Sequence, residues 1–162
     1  MRYLKDNYNE NAMEKKFNES YEIMCKLNEP FHEKMKKIYE YKSINKESEF
    51  MECTELGKGV YRKLVTKGYI PSMKTFMSMC MGLNLDLPTA ESLLASLSLG
   101  FEKTDRLDCA YMFLLTHYQG LCIEDCNRIL RKLGFKEAKE LLGSFTWDEI
   151  HSIHKENEDS VT

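Results

Sequence analysis

Proline is scarce in this chain, with three residues in 162, and tryptophan occurs once. The prolines, at positions 30, 71 and 88, each fall where a helix is expected to begin, which is where a helix tolerates them. Period-two alternation between turn residues is missing, so no strand is expected. No repeat or low-complexity tract is present. No uncharged stretch reaches the ~18 apolar residues of a membrane span, and Met1-Arg2-Tyr3-Leu4-Lys5-Asp6 lacks the apolar core of a secretion signal. A cytoplasmic protein without a membrane partner is the expectation. The six cysteines (25, 53, 80, 109, 122, 126) contain no CxxC pair, and the four histidines (32, 117, 151, 154) complete no ligand cluster with them. These thiols are expected to be reduced and mostly buried as small apolar groups, with no metal and no cofactor.

Catalytic signatures are equally thin. Gly57-x-Gly59 is too short for a phosphate loop and follows no strand. The acidic pairs Asp105/Asp108, Glu124/Asp125 and Asp148/Glu149 sit at expected helix starts, where they favour the helix dipole. His151-x-x-His154 has neither a third ligand nor i, i+4 spacing. Cys122 with His117 lacks an orienting acid and an oxyanion hole. An enzyme is not expected.

What the chain has in quantity is helical periodicity. Hydrophobic residues make up 43% and charged residues 30%, a balance that supports a packed core. Met13, Phe17, Tyr21, Met24 and Leu27 recur at spacings of three and four over about 10–27. A second helix from Pro30 uses Phe31, Met35, Ile38 and Tyr39, and a short one after Asn45, as N-cap, carries Phe50 and Met51. The next spans about 57–67 with Val60, Tyr61, Leu64 and Val65 on one side. Residues 72–83 continue with Met73, Phe76, Met77 and Cys80, a methionine-rich stretch expected in the core, and Pro88 opens a helix to about Ser98. Leu107, Ala110, Tyr111, Leu114, Leu115 and Tyr118 form an unbroken stripe. Ile123, Cys126, Ile129, Leu130 and Leu133 form another, followed by a turn at 136–142. Thr146-Trp147-Asp148-Glu149 is a capping box opening a last short helix. The fold class is therefore all-α.

Charge is unevenly spread. Residues 1–55 carry 10 basic and 12 acidic side chains, and residues 86–162 carry 8 and 14. Residues 56–85 hold Lys58, Arg62, Lys63, Lys67 and Lys74 and no acid. An acidic chain with one basic island can present a local surface to phosphate.

Four of these five cations lie in Phe50–Ser72, FMECTELGKGVYRKLVTKGYIPS, which resembles the helix-turn-helix of the Cro/cI-like (XRE) family, with its pattern LAxxTGLSxxTYYRIxxGxxxPS. Phe50 and Met51 match the apolar pair of the first helix, Thr54 and Leu56 flank the turn, and Tyr61 and Leu64 match buried positions of the recognition helix. Pro71-Ser72 match the start of the following helix, and Phe76, Cys80 and Gly82-Leu83-Asn84-Leu85 match its continuation. The resemblance covers about 30–142 and is absent from 1–28. It implies a five-helix core at 29–98, preceded by an N-terminal helix at 1–28 and followed by a helical extension at 99–155 and a frayed tail at 156–162. The implied function is double-stranded DNA binding by a homodimeric prokaryotic transcriptional regulator with helix 57–67 in the major groove. Lys58, Gly59, Arg62, Lys63 and Thr66 face the bases, and Asn45, Lys46, Lys67, Ser72 and Lys74 face phosphates. Glu55 stands where the family usually has glycine, so a positive φ is expected there at a cost of ~1 kcal/mol.

A second reading makes the chain a helical protein-interaction module, antitoxin-like or an adaptor, that binds a partner or a second copy through the acidic C-terminal helices or the N-terminal one. DNA reading requires Lys58, Arg62 and Lys63 on one exposed face, with Glu47, Glu49 and Glu52 turned away. An interaction module would place its largest exposed apolar patch in 1–28 or 103–155 and would have a basic face broken by Glu55.

Overall fold

The prolines fall at helix starts, as the sequence predicts, and short polar side chains cap three of the helices. The computed structural model describes residues 9–25 and 29–144, without the side chains of 23–25. Among the described residues there are eight helices and no strand: α1 (Glu10–Cys25), α2 (Phe31–Tyr41), α3 (Glu47–Thr54), α4 (Val60–Lys63), α5 (Met73–Gly82), α6 (Leu87–Ser96), α7 (Arg106–His117) and α8 (Ile123–Lys132). The fold class is all-α, and no described helix is long and apolar enough to cross a membrane. The capping box at 146–149, His151-x-x-His154 and the tail at 156–162 lie outside the described residues.

Ser72 accepts from the Thr75 N–H, Asp86 from Thr89 and Asp105 from Asp108, at 3.2, 2.9 and 3.1 Å. Each bond satisfies a donor that the first turn leaves open, worth about 1 kcal/mol. Pro30 is the N-cap of α2, and Pro88 sits in the first turn of α6. Asn45 is not the cap of α3. Lys46 takes that position with extended backbone and no side-chain bond, while the Asn45 amide donates to its own turn, at Ser43 O.

One core runs through α2 to α8. Phe31, Met35, Ile38 and Tyr39 of α2 meet Phe50, Leu56 and Leu64, and behind them lie Phe76, Met77, Cys80, Leu93, Tyr111, Leu114, Cys126 and Leu130. Met77, Met79 and Met81 are buried, so the methionine-rich stretch is core. Helices α3 and α5 pack so closely that a Cβ on Gly82 would lie 2.6 Å from Cys53 O and 2.8 Å from Thr54 Cα.

The segment after α8 is stitched back onto the middle of the chain. Tyr111 Oη donates to Glu140 O at 2.7 Å, and the Gly143 N–H donates to Ser78 Oγ at 2.8 Å. The Asn127 amide pairs with both backbone groups of Leu142, and the Ser144 N–H reaches Glu55 O at 2.9 Å.

The apolar stripe of α1 is open, with Phe17 and Tyr21 59% and 53% exposed, and the helix is tied to the body by hydrogen bonds from Ser20 Oγ to Asp86 and from Lys16 Nζ to Gln119. Helical geometry explains this, because residues 16 and 20 lie one turn apart on a face roughly a quarter-turn from Met13, Phe17 and Tyr21. Tyr118 closes the stripe of α7 in sequence but is exposed, because Gly120 turns the chain away at φ +87°. Of the five described free thiols only Cys80 and Cys126 are buried, Cys53 is half-buried, and Cys109 and Cys122 are exposed. Burial pushes the Cys126 thiol up to about 12 and Cys80 well above its ordinary value.

Candidate nucleic-acid interface

Thr54, at the end of α3, turns its hydroxyl back onto Phe50 O at 2.7 Å and accepts from the Leu56 N–H at 3.3 Å. Glu55 then adopts φ +54°, the left-handed conformation that the sequence requires of it. Leu56 plunges into the core, and Gly59 turns the chain again at φ +96°. The Gly59 N–H donates to Glu47 Oε1 at 3.1 Å, closing α3 onto the start of α4.

Helix α4 is one turn, Val60–Lys63, not the expected run over 57–67. Beyond it the chain winds on in tighter i, i+3 turns, from Val65 N to Arg62 O and from Thr66 N to Lys63 O. Gly57 and Gly59 each weaken a helix by about 1 kcal/mol, and β-branched Val60, Val65 and Thr66 weaken it further. Gly68, at φ +88°, stops the winding.

The inner side of this turn is well anchored. Leu64 is fully buried. The Tyr61 ring stacks on Tyr39 with centroids 4.6 Å apart and lies 5.6 Å from Phe50. Tyr39 Oη donates to Tyr61 O at 2.9 Å, and burial pushes the Tyr39 phenol far above its ordinary pKa, so it remains a donor.

The outer side carries the charge. Lys58, Arg62, Lys63, Thr66 and Lys67 are exposed, and Gly59 is half-buried. Among the described residues no ion pair engages Lys58, Arg62, Lys63 or Lys67. Thr66 Oγ1 donates to Arg62 O at 2.7 Å, which fixes the hydroxyl with its lone pairs outward. Lys46, Asn45 and Ser72 are exposed around this face, with Ser72 Oγ held by Thr75.

Lys74 stands apart from the other cations. Its Nζ donates to Ala138 O at 2.6 Å, and burial lowers its pKa, so it ties α5 to the segment after α8. Glu47 also departs from the expected arrangement: it is half-buried at the N-terminal end of α4 and does not turn away. Two further contributors, Tyr39 and the Glu47–Gly59 bond, went unrecognised in the sequence. They join positions 22 and 12 residues apart, which no local spacing signals.

Among the described residues no group of histidine, cysteine and carboxylate side chains could hold a metal. Comparison of the chain with protein-family models, with curated proteins and with solved structures returns no match.

Proposed function

We propose that this chain is a DNA-binding regulator of the Cro/cI-like type, with α2 to α6 as its five-helix core and the turn around α4 as its reading element. The observation that carries the reading is the two-sided build of residues 58–67. Leu64 and Tyr61 are packed inward, while Lys58, Arg62, Lys63 and Lys67 are exposed and enter no ion pair among the described residues. A rod presented to a major groove needs this arrangement. Arg62 and Lys58 supply donors for guanine edges, and Lys63, Lys67 and Lys46 supply charge to phosphates. A one-turn helix places few side chains against bases, so phosphate contacts carry most of the affinity.

Fluorescence anisotropy with a random-sequence duplex tests this. With about four phosphates neutralised, affinity should fall roughly 10²-fold between 50 and 200 mM salt. Arg62→Ala and Lys63→Ala should each weaken binding, and Lys63→Ala should flatten the salt slope by nearly one contact. Binding that is absent at low salt, or insensitive to both substitutions, overturns the reading.

A specific observation also favours the interaction reading. Among the described residues, five of the seven large exposed apolar side chains lie on α1 (Met13, Phe17, Tyr21) and at the end of α7 (Phe113, Tyr118). The Lys16–Gln119 hydrogen bond joins the two groups at one edge. A second copy or a partner protein on this patch is compatible with DNA bound at α4. If duplex binding fails while Phe17→Ser abolishes self-association, the interaction reading stands alone.

A further inference from the structure

Glu55 holds φ +54°, a conformation that a residue with a Cβ keeps only where its surroundings over-determine it. Its N–H is used within α3, donating to Met51 O at 2.9 Å. Its carbonyl is fixed from outside. Ser144, 89 residues further on, donates to Glu55 O from its N–H at 2.9 Å, and Ser144 Oγ lies 3.5 Å from the same oxygen.

Three consecutive residues bind three different elements here. Leu142 is held by Asn127 of α8, whose side-chain amide accepts from the Leu142 N–H at 2.7 Å and donates to Leu142 O at 3.0 Å. Gly143 is held by α5: it donates to Ser78 Oγ at 2.8 Å, and Ser78 in turn donates to Lys74 O at 2.7 Å. Gly143 turns at φ +79° and comes so near the bend after α3 that a Cβ on it would stand 3.2 Å from Glu55 Cβ. Ser144 then completes the link to Glu55. Directional bonds from α5 and α8 therefore set the peptide at Glu55, which α3 alone would not hold.

We propose that residues 142–144 clamp Glu55 in its left-handed conformation and so fix the bend from Thr54 to Gly59 that presents the basic turn. Asn127 of α8 and Ser78 of α5 are then positioning residues for that turn. Relaxation of φ at Glu55 rotates every bond that follows it, so Leu56 leaves its seat in the core and α4 changes its angle to α3. The coupling is reciprocal: a ligand that binds only the ordered turn also tightens the clamp. The consequence for DNA rests on the proposed function, but the clamp itself does not depend on duplex binding.

The test uses the full chain, with amide exchange followed residue by residue by NMR. In Asn127→Ala, which removes both bonds to Leu142, the amides of Leu56, Gly59 and Ser144 should exchange about fivefold faster than in wild type. The Leu93 amide, buried in α6, should change less than about twofold. Ser78→Ala removes the other anchor and should give the same pattern. Glycine takes a positive φ without steric cost, so on a Glu55→Gly background Asn127→Ala should accelerate Leu56 and Gly59 by less than about twofold. Unchanged rates at the bend in both anchor variants overturn the proposal. So does acceleration shared by Leu93, which is a general loss of stability, and so does acceleration of equal size on the glycine background. In the second arm, Asn127→Ala should weaken binding of a random-sequence duplex about threefold at low salt, with the salt slope unchanged because no phosphate contact is removed. Duplex should also slow exchange at Gly143 and Ser144 of the wild type by about threefold. Local acceleration without either duplex effect overturns the link to the basic turn. A wild type that binds no duplex removes the DNA reading, while the exchange arm still decides the clamp.

Discussion

Two residues hold conformations or environments that their chemistry resists. Glu55 sits at φ +54°, which costs a side chain with a Cβ about 1 kcal/mol relative to glycine. Glu55→Gly should therefore raise stability by about 0.5–1 kcal/mol, read as a rise of roughly 1–4 °C in melting temperature. Lys34 is 1% exposed on α2, with its Nζ donating to Ser92 O and Ser92 Oγ at 3.3 and 3.2 Å. Burial pulls its pKa below the ordinary lysine value, with Glu29 opposing. The unfolded chain then binds more protons than the folded one between the depressed value and about 10.5, so stability rises with pH through that window. Urea melts at pH 7 and pH 10 should show wild type gaining on Lys34→Met over that interval, and an equal response in the two proteins would refute it. Glu47 bears on the proposed DNA binding instead. Its carboxylate closes the start of α4 but sets a negative charge beside the cations, so if α4 contacts a duplex, Glu47→Gln should tighten binding severalfold in anisotropy while keeping an acceptor for Gly59.

At the scale of elements, packing between α3 and α5 is the tightest joint. A methyl group at Gly82 meets backbone on both near sides, and backbone does not swing aside. Gly82→Ala should cost about 1–3 kcal/mol, measured by denaturant unfolding. Wherever an apolar stripe faced a core and a cap preceded it, the element could be read from sequence. Phe31, Met35, Ile38 and Tyr39 placed α2, and Ser72, Asp86 and Asp105 began α5, α6 and α7 where expected. Residues 57–67 were the exception, because their glycines and β-branched residues shorten the helix while their apolar spacing still resembles one. For α1 the periodicity shows that the helix has an apolar face, not what that face meets. Lys74 could not be told from the exposed lysines by sequence either, since its acceptor at Ala138 lies 64 residues away.

At the scale of the molecule, the basic face and the apolar patch belong to different parts of the surface, the first around α4 and the second on α1 and α7. If the patch seats a second copy, Phe17→Ser with Tyr21→Ser should shift sedimentation from dimer to monomer. The melting temperature should hardly move, because both rings are already largely solvent-exposed. The stitching of residues 140–144 onto Glu55, Ser78 and Tyr111 has an engineering consequence. A fragment cut after residue 98 would lose Tyr111, Leu114, Cys126 and Leu130 from its interior and the brace behind its own hairpin bend. Minimal versions of this protein should accordingly run at least to Ser144, and any protease nick between α7 and α8 should loosen the turn around α4 from a distance.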